Sequence, residues 1–162
     1  MRRTPWSRLL IVALLSTAVA AAGLRIAESR GATLLPVPPV AWLAVLLIAA
    51  VVLGLGWNVR QYTRGKRPGL DVLLAARTVV LATASTYTGA LLTGWYAAQV
   101  LLTLGDLQIA GRRDVAISAA VAVGAAVLLA VVGLVVERWC EVPPPDDDEG
   151  GPGPSAADGS PA

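Results

Sequence analysis

The stretch ATASTYTGALLTGWYAAQ, residues 82–99, decides how this chain folds. Apolar sequence surrounds it, yet five of its residues are Ser or Thr, and Gly89 and Gly94 add two further small positions. At about 100° per residue around a helix, Ala82, Thr83, Ser85, Thr86, Gly89, Ala90, Thr93, Gly94 and Ala97 fall within one half of the surface, interrupted only by Tyr96. Tyr87, Leu91, Leu92 and Trp95 fall on the other half. Small residues recur at spacing four along two rows, Ala82, Thr86, Ala90, Gly94 and Ser85, Gly89, Thr93, Ala97. In lipid, hydrophobicity cannot drive one helix onto another, so close backbone contact must do so, and small-xxx-small rows permit it. Hydroxyls fit such a seam because they can bond back to their own helix or across to a neighbour. The helix-packing face expected here is therefore Ala82, Ser85, Thr86, Gly89, Ala90, Thr93, Gly94 and Ala97.

The rest of the chain supports a membrane setting. Its 162 residues are 56% hydrophobic and 15% charged, with a mean hydropathy of +0.66, which is too apolar for a soluble domain of this size. A bilayer core of about 30 Å asks for roughly 20 apolar residues in a helix, since backbone amides in lipid must bond within their own segment. Four segments meet or approach that length: 9–24, 40–59, 78–97 and 115–136. The fold class expected is an all-α membrane protein, a four-transmembrane-helix antiparallel bundle over residues 1–142. A disordered acidic tail rich in Pro and Gly follows at 143–162.

Charge sets the orientation, because Lys and Arg in short loops stay cytoplasmic. With the amino terminus inside, the inner side holds Arg2, Arg3, Arg8, Arg60, Arg64, Lys66, Arg67, Arg77 and Arg138, and the outer side holds only Arg25, Arg30, Arg112 and Arg113. Tryptophan prefers the headgroup level. Trp6, Trp57 and Trp139 fall at inner ends and Trp42 and Trp95 at outer ends, so both signals place the two termini in the cytoplasm. Arg77 and Trp95 are about 18 helical steps apart, about 27 Å, which matches the hydrocarbon thickness. The first segment has a rival reading as a cleavable signal peptide, from its early arginines and the run Ala20–Ala22. Apolarity that continues to Leu24 and ends at Arg25 favours a span.

The basic inner loop carries Arg60, Arg64, Lys66 and Arg67, which suit anionic lipid headgroups at about 1 kcal/mol each. The sharper alternative is a site for an anionic ligand. Loop 105–114 carries Asp106, Arg112, Arg113 and Asp114 and reads as a solvated connector. The fourth segment offers a row to meet the third, Ser118, Ala122, Ala126 and Ala130, with Gly124 beside it.

Catalysis finds little support. The chain has no His, which removes the commonest general base and metal ligand, and its one Cys, Cys140, sits between Glu137 and Glu141, which oppose a thiolate. No nucleophile, base or metal set assembles from nearby positions, so neither enzyme activity nor a cofactor, metal or nucleic-acid partner is expected.

LAARTVVLATASTYTGALLTGWYAAQV, the ending GLVVERWCEVPPPDDDEG and the start MRRTPWSRLL resemble a family of small actinobacterial integral membrane proteins of uncharacterised function. That resemblance implies a multi-span protein of the inner membrane and a gene neighbourhood near folate biosynthesis, with no catalytic residues to carry over. The favoured function is an accessory or interaction protein acting by helix packing through the third and fourth spans, with lipids and a membrane protein or a second copy as partners. The alternative is an oligomeric channel or transporter for a small uncharged solute, lined by Thr83, Ser85, Thr86 and Thr93, with Tyr87 and Gln99 as further contacts. No charged residue lies within any span, so the usual mark of an ion pathway is missing.

Overall fold

The computed structural model describes residues 6–33, 35–63, 72–106 and 108–139, without the side chains of 62, 63 and 72–76. Its elements are α1 (Trp6–Ser29), α2 (Pro39–Thr63), α3 (Val72–Thr103), a single 3-10 turn (Leu104–Asp106) and α4 (Ala110–Trp139). No strand occurs among the described residues. Each helix outruns the apolar segment expected of it. α3 begins at Val72, before Arg77, and α4 at Ala110, before the Arg112–Arg113 pair, so charged turns extend both helices beyond their apolar cores.

Local chemistry sets the ends. α1 closes on Gly31, whose φ of 85° is open to a residue without Cβ. Gly31 N–H donates to Glu28 O at 2.9 Å and Ala32 N–H to Ala27 O at 3.0 Å, the paired bonds that satisfy the last carbonyls of a glycine-terminated helix. α2 opens on Pro39, where a missing N–H costs nothing because the first turn has no intrahelical acceptor for it. Just before it, Val37 N–H donates to Ser118 Oγ of α4 at 3.0 Å, fixing the connection to the bundle.

α3 is the hub. It packs most extensively on α4, then on α1, and more lightly on α2, while α2 lies chiefly against α4. Among the described residues α1 packs against α3 and against no other helix, apart from the ion pair of its last turn to α4. Residues 82–89 of α3 meet residues 133–126 of α4 in descending order, so these helices run in opposite directions. Ser16 meets Leu91 while Leu24 and Ala27 lie beside Gln99, so α1 runs with α3. Val37 and Gly56 meet Ser118 and Val136, so α2 runs with α4. The centre of the core is small: Val52, Ala82 and Val136, with Val132 packed against them.

Among the described residues, three helices are long and apolar enough to cross a membrane: Trp6–Ser29, Pro39–Gln61 and Ala110–Trp139. α3 is the longest helix, at 32 residues, and is not one of the three. Its Ser, Thr, Gly and Tyr residues dilute its hydropathy, and much of that polar surface lies against other helices. The acidic tail and Cys140 lie outside the described residues.

Candidate functional site

The hydroxyl-rich half of α3 divides between two neighbours. Along it Ala82 and Thr86 are fully buried and Ser85 and Ala90 are 5% exposed, and Ala82 and Thr86 meet α4. Gly89 is buried with them. A Cβ on Gly89 would stand 2.6 Å from Ala130 N and 2.8 Å from Ala126 O, both backbone atoms that no rotamer change can clear. From the opposite side, a Cβ on Gly133 would meet Thr86 Oγ1 and come within 2.7 Å of Ala82 O. The two helices touch backbone to backbone because each supplies a glycine at the crossing.

Toward α1 the same device is used once. A Cβ on Gly94 would stand 2.5 Å from Ala13 O and 2.6 Å from Ser16 Cβ, and Ser16 Oγ donates to Leu91 O at 2.8 Å. Thr93 and Ala97 are half-buried. Of the expected face, Ala82, Thr86 and Gly89 thus meet α4 and Gly94 meets α1.

The α4 side needs a correction. Ala122 and Ala126 are buried and Ser118 and Ala130 half-buried, but Gly124 is exposed, with nothing within 4 Å of the position of its missing Cβ. Gly133, which the sequence reading passed over, is the glycine at the contact, and the buried stripe runs on through Ala119, Leu129 and Val136. The cause is helical phase: Gly124 lies two residues from both Ala122 and Ala126, which places it about 160° away from either by any path along the helix. The spacing Ala126, Leu129, Gly133, Val136 carried the signal.

The hydroxyls are engaged within their own helix. Thr83, Ser85, Thr86 and Thr93 each donate to the carbonyl four residues earlier, at 3.1, 2.8, 3.0 and 2.7 Å. Thr103 does the same toward Gln99 O at 2.9 Å. A hydroxyl so bonded is small and nearly apolar on its outer side, which suits it to a dry contact.

Each end of the bundle carries a polar clasp. At the end where α2 and α4 finish, Trp57 and Trp139 meet edge to face at 5.8 Å, and the Arg60 guanidinium lies 4.5 Å from the Trp139 ring centre and 5.7 Å from that of Trp57. Arg60, expected among the lipid-headgroup contacts, is half-buried over these rings. Its expected companions Arg64, Lys66 and Arg67 lie outside the described residues. At the other end Arg112 bonds Asp106 Oδ2 at 3.0 Å and Glu28 Oε1 at 3.3 Å, joining α4 to the 3-10 turn and to α1. The loop expected to be a solvated connector is therefore partly tied down, although Arg113 and Asp114 are exposed.

Two recesses flank α1. A larger one, about 770 Å³, is an open apolar groove between α1 and the Leu91–Trp95 side of α3. A smaller one, about 250 Å³, lies near the Arg112 clasp and includes Glu28, Thr33 and Gln99. No group of three or more potential metal ligands occurs among the described residues.

The chain belongs to DUF3180, a family of proteins of unknown function whose model matches residues 9–144. No curated protein and no solved structure matches it. The family match covers both seams, Gly89 with Gly133 and Gly94 with Ser16.

Proposed function

We propose that this DUF3180 member is a four-span antiparallel bundle of the cytoplasmic membrane with both termini in the cytoplasm. It serves as an accessory protein with no catalytic or transport activity of its own. Three apolar helices support the membrane setting. α3 qualifies as the fourth span because its least apolar face is covered by α4 and α1, and a helix whose polar face is covered by protein tolerates a lower hydropathy than one exposed to lipid. Helix direction, the Arg77-to-Trp95 spacing and the excess of basic residues on one side all favour the same orientation.

The observation that carries the accessory reading is the closed seam of α3. Its glycines are filled by backbone from α4 and α1, and the hydroxyls that would line a path are bonded to their own helix. Such a surface holds a scaffold together and offers a solute nothing to exchange its hydration for. The scaffold is expected to meet membrane lipids and a membrane-protein partner or second copy, and to bind no cofactor or nucleic acid. Purified protein reconstituted into vesicles should leave the permeability to a panel of small neutral solutes unchanged. Protein-dependent flux that Thr86→Val alters would overturn the reading in favour of the channel.

A further inference from the structure

The open groove of about 770 Å³ between α1 and α3 is shaped by a contrast in side-chain size. Small residues deepen it: Ala20 is buried, and at Gly23 a Cβ would meet nothing within 4 Å. The larger Leu15, Val19, Leu91 and Trp95 border it and remain exposed. Ser16, the one hydroxyl among its lining residues, already donates to Leu91 O. The groove therefore offers hydrocarbon contact and little else.

Its length and one charge narrow the choice of occupant. Along α1 the lining residues run from Val12 to Ala27, about 22 Å at 1.5 Å per residue. One leaflet of a hydrocarbon core of about 30 Å is about 15 Å deep, so the groove is long enough for an acyl chain. Arg30 N–H donates to Ile26 O, so the helical path of α1 continues to Arg30. Seven residues beyond Gly23 and three beyond Ala27, Arg30 falls on the groove side of the helix. It stands about 9 Å past Leu24, where the apolar run ends, and an arginine side chain reaches back over that distance to the headgroup layer. Arg30 is exposed, and among the described residues no carboxylate pairs with it, since Arg112 holds both Glu28 and Asp106.

We propose that the groove holds one acyl chain of an anionic phospholipid whose phosphate is drawn to Arg30. The proposal rests on the four-span membrane reading and not on the absence of transport. A second copy of the chain suits the groove less well. Two copies inserted the same way and paired across it would bring their Arg30 side chains to one level, with Glu28 and Asp106 already engaged elsewhere.

The test supplies the full chain in detergent with equal amounts of phosphatidylglycerol and phosphatidylcholine of the same acyl chains, and weighs the protein with its retained lipid by native mass spectrometry. One phospholipid per chain is expected, with phosphatidylglycerol favoured about fivefold, the worth of one basic residue at a charged surface. Gly23→Leu enters open space, so it should keep the fold and lower retention of both lipids about tenfold, roughly the burial of two methylene groups. Gly124→Leu, equally open on α4, should retain them. Arg30→Gln should keep the lipid and abolish the preference. No retained lipid, equal retention of the two lipids by the unmodified chain, retention that Gly23→Leu leaves unchanged, or a dimer that Gly23→Leu dissolves would overturn the proposal. The lipid comparison on the unmodified chain and on the exposed Arg30→Gln stands even if Gly23→Leu fails to fold. Vesicle permeability is read separately, so failure here is distinct from failure of the accessory reading.

Discussion

α1 and α4 are both uncharged over long apolar runs, yet they are buried to very different degrees. In its most apolar window α1 has 11% of its residues buried, whereas α4 has 44%. The difference lies in side-chain size along one stripe. α4 presents Ala126, Ala130 and Gly133 to α3, and its backbone reaches the backbone of α3 at Gly89. α1 has a single comparable contact, at Ala13 and Ser16 against Gly94, and keeps Leu10, Leu14, Leu15 and Val19 exposed. Hydropathy shows which helices can lie in lipid, and the distribution of small residues shows which of them lie inside the bundle.

The comparison is broken most severely by filling the α3–α4 seam. Gly89→Leu places a side chain where Ala130 N and Ala126 O already stand, and it should abolish folded monomer in detergent, as seen by size exclusion and circular dichroism. The milder Gly89→Ala should destabilise by about 1–3 kcal/mol, the usual cost of overpacking. Gly124→Ala, with open space around it, should leave Tm unchanged or raise it. Equal losses from Gly89→Ala and Gly124→Ala would dissolve the distinction between a packed and an open face.

Gly94→Leu comes next and is more local. It should free α1 from α3 while α2, α3 and α4 stay together, because among the described residues α1 packs on α3 and is tied to α4 through the partly exposed Glu28–Arg112 ion pair. Limited trypsin digestion at Arg25 or Arg30 should accelerate well before global unfolding. Cooperative loss of the whole bundle would show that α1 is more deeply integrated than its contacts imply.

Smaller effects sharpen the picture. Arg112→Gln removes the ion pairs to Asp106 and Glu28, which are partly exposed, and should cost about 1 kcal/mol or less, with part of the loss disappearing at high salt. Thr86→Val keeps the shape of the seam and removes only the bond to Ala82 O, so a change of about 0.6 kcal/mol is expected. A large loss there would mean that the hydroxyl does more than fill space.

Much of this was legible in the sequence. Apolar runs located the helices, and Ala82, Thr86, Gly89 and Gly94 among the small residues of 82–97 stand at contacts of α3 with its neighbours. The division of that side between α4 and α1 was not legible, because angular position on one helix does not say which neighbour occupies each sector. Gly133 was missed because it lies near the end of α4, beyond the alanine row that drew attention, while Gly124 was included although its phase is wrong. Gln99 read only as a further polar contact. Its burial near the end of α1, beside Ala32, Thr33 and Leu35, is something no local pattern reveals.

The most direct test of the closed seam uses a single introduced thiol in native membranes. With Cys140 changed to Ser, Thr86→Cys and Thr33→Cys would each be exposed to a small water-soluble maleimide. Thr86 is fully buried between helices, and Thr33 is exposed on the loop after α1. The closed seam predicts rapid labelling at 33 and none at 86 until the membrane protein is denatured. Labelling at 86 at a rate close to that at 33 would put water along the hydroxyl face and contradict it.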